Sequence, residues 1–215
     1  SRPRTGRQCA ARGPMVSLIY SAICSIDGYV ADEQGNFDWA VPDAQVHSFV
    51  NELERGVGTY LLGRKMYETM IPWEAMAHGG LHGSSVSGGS SVPEEFAGIE
   101  AATVEFAEIW GGIDKVVYST TLTEVSTART TIVREFAADA VRALQSEAVQ
   151  DISIGGPTVA ACAFAAGLVD ECRLFLCPVS VGGGLRALPE GRLDLQLLEE
   201  QTFDGGVIYL RYAVR

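Results

Sequence analysis

Twice in this chain a short strand-like run ends in glycine and passes directly into helical sequence. Residues 59–63 (TYLLG) lead into Arg64-Lys65-Met66, and 151–155 (DISIG) lead into Gly156-Pro157-Thr158. Nearly continuous apolar character over so few residues is the mark of a strand buried on both faces, the usual state in a parallel sheet. A helix starting at the carboxyl end of such a strand is half of a βαβ unit. Residues 15–23 (MVSLIYSAI), 114–122 (DKVVYSTTL) and the run 171–184, broken at Pro178, supply further strands. Residues 195–215 alternate on both sides of Asp204-Gly205-Gly206 and read as an antiparallel hairpin. The expected fold class is α/β: a mostly parallel central sheet, helices on both faces and an antiparallel C-terminal hairpin.

The helices read from their apolar stripes. In 43–55, Val46, Phe49, Val50 and Leu53 share one face, with Pro42 and Asp43 as a start signal. Residues 94–110 end at Gly111-Gly112, and 135–148 place Phe136, Ala140, Val141 and Leu144 together. Pro157 suits the first turn of a helix that Gly167 terminates. The Gly/Ser-rich stretch 77–93 reads as a flexible loop. The long loop 25–39 is rich in turn formers. One domain is expected over 15–215, preceded by a basic, mobile extension over 1–14 that lacks the apolar segment of a secretory signal.

Sixteen Lys and Arg against 27 Asp and Glu give a net charge of −11, which argues against a broad nucleic-acid surface. Any anion site must be local. The five cysteines have no CxxC spacing and read as reduced, mostly buried thiols of a cytoplasmic protein. His78 and His82 are spaced i, i+4, but among glycines and serines, so no metal site is expected. No stretch has the roughly 18 apolar residues of a membrane span.

Ligands of open α/β sheets bind beyond the carboxyl ends of the strands. Three such ends carry suitable groups. Gly63-Arg64-Lys65 offers two cations at a helix start. Ser119-Thr120-Thr121 offers hydroxyls. Gly155-Gly156-Pro157-Thr158 offers bare backbone and a helix N-terminus, which together favour phosphate. Neither G-x-G-x-x-G after the first strand nor G-x-x-x-x-G-K-[ST] is present, which disfavours Rossmann and P-loop sites.

Residues 61–70 (LLGRKMYETM), 115–120 (KVVYST) and 152–171 (ISIGGPTVAACAFAAGLVDE) resemble segments of dihydrofolate reductases. Together with 25–32 (SIDGYVAD) and 174–184 (LFLCPVSVGGG), they are still more similar to the reductase domain of the riboflavin-biosynthesis deaminase/reductase and its stand-alone relatives. The resemblance runs from about residue 15 to the C-terminus. It implies a dihydrofolate-reductase-like fold and an NADPH-dependent reduction of a pteridine- or pyrimidine-like heterocycle. Arg64 and Lys65 would face the cofactor phosphates, with Gly63 at the turn. Ser119 and Thr120 would flank the adenosine. Gly155, Gly156, Pro157 and Thr158 would hold the pyrophosphate.

On the substrate side, Trp39 and Pro42 match a Trp-x-x-Pro pattern, but the carboxylate that grips the pterin in dihydrofolate reductases has no clean counterpart. Asp43, His47 and Asn51 fall at i, i+4, i+8, and Asp27 precedes a glycine. His47 is the expected proton relay, with Asp27 and Asp43 as alternatives, and Trp39 and Asn51 would contact substrate. The pocket is expected between the loop 25–42, the helix at Asp43 and the turn at Gly155. The resemblance and the long apolar strands at 174–181 and 206–214 point to a homodimer. The rival expectation is a nucleotide-binding protein of this fold without turnover.

Overall fold

The computed structural model describes residues 16–77 and 94–215. The expected extension 1–14, and the segment 77–93 beyond Ala77, lie outside the described residues.

The apolar run at the start forms β1 (Leu18–Ser25), and the loop after it contains the short β2 (Tyr29–Ala31) and a single 3-10 turn (Asp38–Ala40). Then come α1 (Ala44–Glu54), β3 (Val57–Gly63), α2 (Arg64–Ala77) and α3 (Glu94–Gly112). β4 (Asp114–Tyr118), β5 (Thr130–Val133), α4 (Ala138–Glu147), β6 (Asp151–Gly155) and α5 (Pro157–Ala165) follow. The chain closes with β7 (Glu171–Cys177), the two-residue β8 (Leu185–Arg186), β9 (Leu195–Thr202) and β10 (Ile208–Val214). The eight-stranded sheet runs β5-β4-β3-β6-β1-β7-β10-β9. Every pair from β5 to β7 is parallel, and β10 joins β7 and β9 antiparallel. The chain thus has the expected architecture.

Alternation along the central strands explains their continuous apolar character. Leu61, Ile152 and Ile154 pack on one face with Val141 of α4 and Val159, Ala160 and Ala163 of α5. Tyr60 and Leu62 face the other way, onto Tyr67 of α2 and Phe106 and Trp110 of α3. A third cluster joins Val46 of α1 to Phe175, Phe203 and Tyr209. Asp43 caps α1, its Oδ1 accepting from the Val46 N–H at 2.9 Å. Gly167, at φ 61°, follows α5 in the left-handed conformation that ends many helices.

β2 corrects the reading of 25–39 as a loop throughout, and β5 and β8 are strands that the sequence reading does not include. β2 pairs with β8 in a separate ribbon, and β5 extends the parallel sheet beyond β4. The ribbon is anchored where the Tyr20 hydroxyl donates to the Ala187 carbonyl at 2.5 Å. Ala140, expected on the buried face of its helix, is exposed. The strands expected to present an open edge are also interior: β7 lies between β1 and β10, and β10 between β7 and β9. The outer strand is β9, almost wholly exposed, with its register broken opposite Arg211 and Tyr212.

Candidate active site

The carboxyl ends of β5, β4, β3 and β6 lie side by side, so the three expected ligand-binding turns share one rim of the sheet. Over β4 and β5 lies an open groove of about 310 Å³ lined by Arg64, Tyr118, Ser119, Thr120, Thr121 and Arg134. Arg64 stands at the first position of α2. Its Nη1 donates to Thr121 Oγ1 and its Nε to Glu68 Oε1, each at 2.7 Å. Arg134 Nη1 donates to the carbonyls of Ser119 at 2.9 Å and Leu122 at 2.5 Å. Ser119 Oγ accepts from the Leu122 N–H at 2.9 Å and caps this turn. Two guanidinium groups therefore flank a hydroxyl-rich turn whose own backbone one of them holds. Lys65 is exposed on α2 but is not among the groove's walls.

Next in the sheet, β6 ends in Gly155-Gly156. A Cβ on Gly155 would stand 3.0 Å from Leu62 Cδ2 and 3.3 Å from Met66 Cγ. Gly156 has φ 94°, which side chains rarely tolerate, and caps α5 with Pro157 at the first helical position. Gly63 sits across from this turn, its own Cβ position 3.8 Å from Val159 Cγ1. Close packing on Met66 requires the bare backbone. That same backbone leaves the start of α5, including exposed Thr158, open to an anion.

A second cavity, of about 220 Å³, lies at the ends of β1 and β7. Ile23, Cys177 and Pro178 form its floor, Trp39 to Asp43 and Val46 one wall, and Gly205 and Val207 of the β9–β10 turn the other. Trp39 Nε1 is buried there with no acceptor among the described residues. Asp43 Oδ2 faces Gly205 so closely that a Cβ on that glycine would stand 2.6 Å from it. Burial raises the pKa of the Cys177 thiol. The third wall is thus the hairpin turn rather than the expected turn at Gly155.

Trp39 and Asp43 lie where the pocket was expected, but His47 and Asn51 do not. A residue step turns a helix by about 100°, and the stripe through His47 faces α2 and α3. His47 is 7% exposed, with ring centroids 5.7 Å from Trp73 and 5.8 Å from Phe106. Burial lowers its pKa, with the Glu105 carboxylate opposing. Asn51 Nδ2 donates to the Ala102 carbonyl and to Glu105 Oε2, both at 2.9 Å. Both residues fasten α1 to α3, and neither lines either cavity.

Asp27 is exposed and organises the turn after β7. It accepts from Ser180 Oγ at 2.8 Å and from the N–H groups of Gly182 and Val181 at 2.7 and 3.2 Å. The Ser25 hydroxyl and these donors hold its pKa far below the usual carboxylate range, so it is a poor proton donor near neutrality.

The groove adds Arg134 and Tyr118 to the residues expected on this rim. Arg134 directly follows β5, so the rule that singled out Arg64 would have found it had the four-residue strand been recognised. Among the described residues, no cluster of three or more His, Cys, Asp or Glu could hold a metal ion, and no helix is long and apolar enough to cross a membrane.

The chain is 26% identical over 203 residues to the uncharacterized protein YyaP of Bacillus subtilis, covering 91% of this chain and 93% of that one. A solved structure named for riboflavin biosynthesis, from Shewanella sp. PV-4, superposes with a TM-score of 0.66 at 19% identity, over 93% of this chain and 99% of the other. A pyrimidine reductase-like protein from Corynebacterium diphtheriae gives 0.63 at 15% identity, covering 93% and 92%. The diaminohydroxyphosphoribosylaminopyrimidine deaminase/5-amino-6-(5-phosphoribosylamino)uracil reductase of Thermotoga maritima gives 0.59 at 12% identity. There 94% of this chain matches 57% of a longer one. These likenesses share the fold described above, and residues 16–209 match the RibD C-terminal domain, the family to which this chain belongs.

Proposed function

We propose that this protein is an NADPH-dependent reductase acting on a planar heterocycle of pteridine or pyrimidine type. The supporting observation is two neighbouring cavities on one rim: a doubly cationic groove at β4–β5 and an apolar pocket at β1–β7, with the Gly155-Gly156 turn between them in strand order.

The residues fit the cofactor. Arg64 and Arg134 suit the 2′-phosphate, because guanidinium groups present several donors to phosphate oxygens. Tyr118 offers a ring wall, and Ser119 and Thr120 offer polar groups, to the adenosine. Gly155, Gly156, Pro157 and Thr158 present backbone and the α5 N-terminus to the pyrophosphate. NADPH, when bound, supplies a hydride to the carbon of a C=N or C=O, whose heteroatom takes a proton. Trp39 walls the substrate, and Asp43 accepts hydrogen bonds from its N–H groups. With Asp27 held anionic and His47 packed against α3, water or the pocket's Asp43 is the proton source.

Binding without turnover is the second reading, favoured by that same removal of His47 and Asp27 from proton transfer. Absorbance loss of NADPH across a panel of pterins and pyrimidinones, run beside calorimetric titration of NADPH, separates the two. Binding with no oxidation on any panel member favours the second reading. No NADPH binding rejects both.

A further inference from the structure

We infer that the substrate of this chain carries no phosphate: it is an uncharged or cationic planar heterocycle. The inference deepens the reductase reading and rests on its placing substrate in the β1–β7 pocket.

Among the described residues, the pocket pairs apolar walls with one carboxylate, Asp43, and no Lys or Arg side chain lines it. A phosphate ester entering such a site loses hydration and meets a like charge, with no guanidinium or ammonium among the described lining residues to offset either cost. The cations on the elements that build the pocket are engaged elsewhere. Arg55 lies at the opposite end of α1, roughly 18 Å from the cap at 1.5 Å per residue, and pairs with Glu105. Arg173 of β7 and Arg211 of β10 are paired with each other in register and share Glu171.

Arg186, on β8, stacks over the Tyr29 ring at 5.5 Å. Its ribbon is anchored through Ala187 to Tyr20, which contacts Phe164 of α5. The pocket opens on the other face, where Ile23 packs with Phe49 and Val50 of α1. Arg64 and Arg134 belong to the groove. The contrast is with the Thermotoga maritima protein, whose name specifies a phosphoribosylated uracil.

The test titrates 5-amino-6-(5-phosphoribosylamino)uracil, its dephosphorylated counterpart, and neutral pteridinones and pyrimidinones onto the full chain by calorimetry, with and without NADP+. The dephosphorylated compound should bind roughly tenfold or more tightly than its phosphate ester, the effect of one like charge at short range in a partly desolvated site. Asp43→Asn keeps the helix cap, since Asn caps as well as Asp, and should narrow that ratio. Equal or tighter binding of the phosphate ester overturns the inference, as does failure of every non-phosphorylated compound to bind. Failure of NADP+ to bind would instead sink the reductase reading, and the phosphate preference on cofactor-free protein still decides this one.

Discussion

Removing the two groove arginines in turn should separate phosphate recognition from turn support. Arg64 donates to Thr121 and Glu68 and, among the described residues, holds no backbone carbonyl by its side chain. Arg64→Ala should therefore weaken NADPH while leaving NADH nearly unchanged. A lost charge-assisted hydrogen bond is worth about 1–3 kcal/mol, or roughly 5- to 150-fold in affinity. The side chain is 47% exposed, so solvent and salt screen it, and the lower half of that range applies at physiological ionic strength. Arg134 does two things, because its Nη1 also holds the Ser119 and Leu122 carbonyls. Arg134→Ala should weaken both cofactors, NADPH more. The double variant should lose less NADPH affinity than the two single losses combined, because both cations address one phosphate. Calorimetric titration of NADPH and NADH at two salt concentrations reads all of these quantities. Equal losses of the two cofactors in Arg64→Ala would refute the assignment of the groove to the 2′-phosphate.

Gly156→Val should lower cofactor affinity and also cost about 1–3 kcal/mol of stability, because φ 94° strains any side chain there and its Cβ would stand 3.4 Å from Met66 Cβ. A variant with wild-type melting temperature and unchanged cofactor titration would remove the site from this turn. His47 has a folded-state pKa below its ordinary 6.5, so the unfolded chain binds its proton first. Its stabilising contribution is complete above about pH 6.5 and is lost as pH falls toward the folded value. The melting temperature of His47→Gln should accordingly fall less between pH 7 and 5 than that of the wild type, and identical slopes would refute the burial argument. We propose a homodimer formed through β9, which exposes Leu197 and Leu198; sedimentation as a monomer at micromolar concentration would end that proposal.

The parts legible in the sequence are those whose physics is local. The strand-Gly-helix junctions at Gly63 and Gly155 announce themselves because a buried parallel strand must be apolar on both faces and must end where its helix begins. Turns suited to ligands fall at those ends, so the shared rim position of Arg64 and Gly156 could be read from the sequence. β5 could not, because four residues are too few for a period, and Arg134 was hidden with it. The surroundings of His47 escape the sequence for a different reason. The i, i+4, i+8 spacing establishes that Asp43, His47 and Asn51 share a stripe, but which neighbour covers the stripe depends on α3, more than forty residues later, which supplies Phe106, Ala102 and Glu105.

The sheet edge was misread for a third reason. β7 and β10 are apolar because they are interior, whereas β9, the edge strand beside them, is mostly exposed and carries Glu199, Glu200 and a register break opposite β10. The proposed substrate pocket collects β1, the Trp39 turn, α1, β7 and the β9–β10 turn. Its walls come from segments nearly two hundred residues apart, so its charge, and with it the choice between a phosphorylated and an uncharged substrate, becomes visible only when the sheet has brought them together.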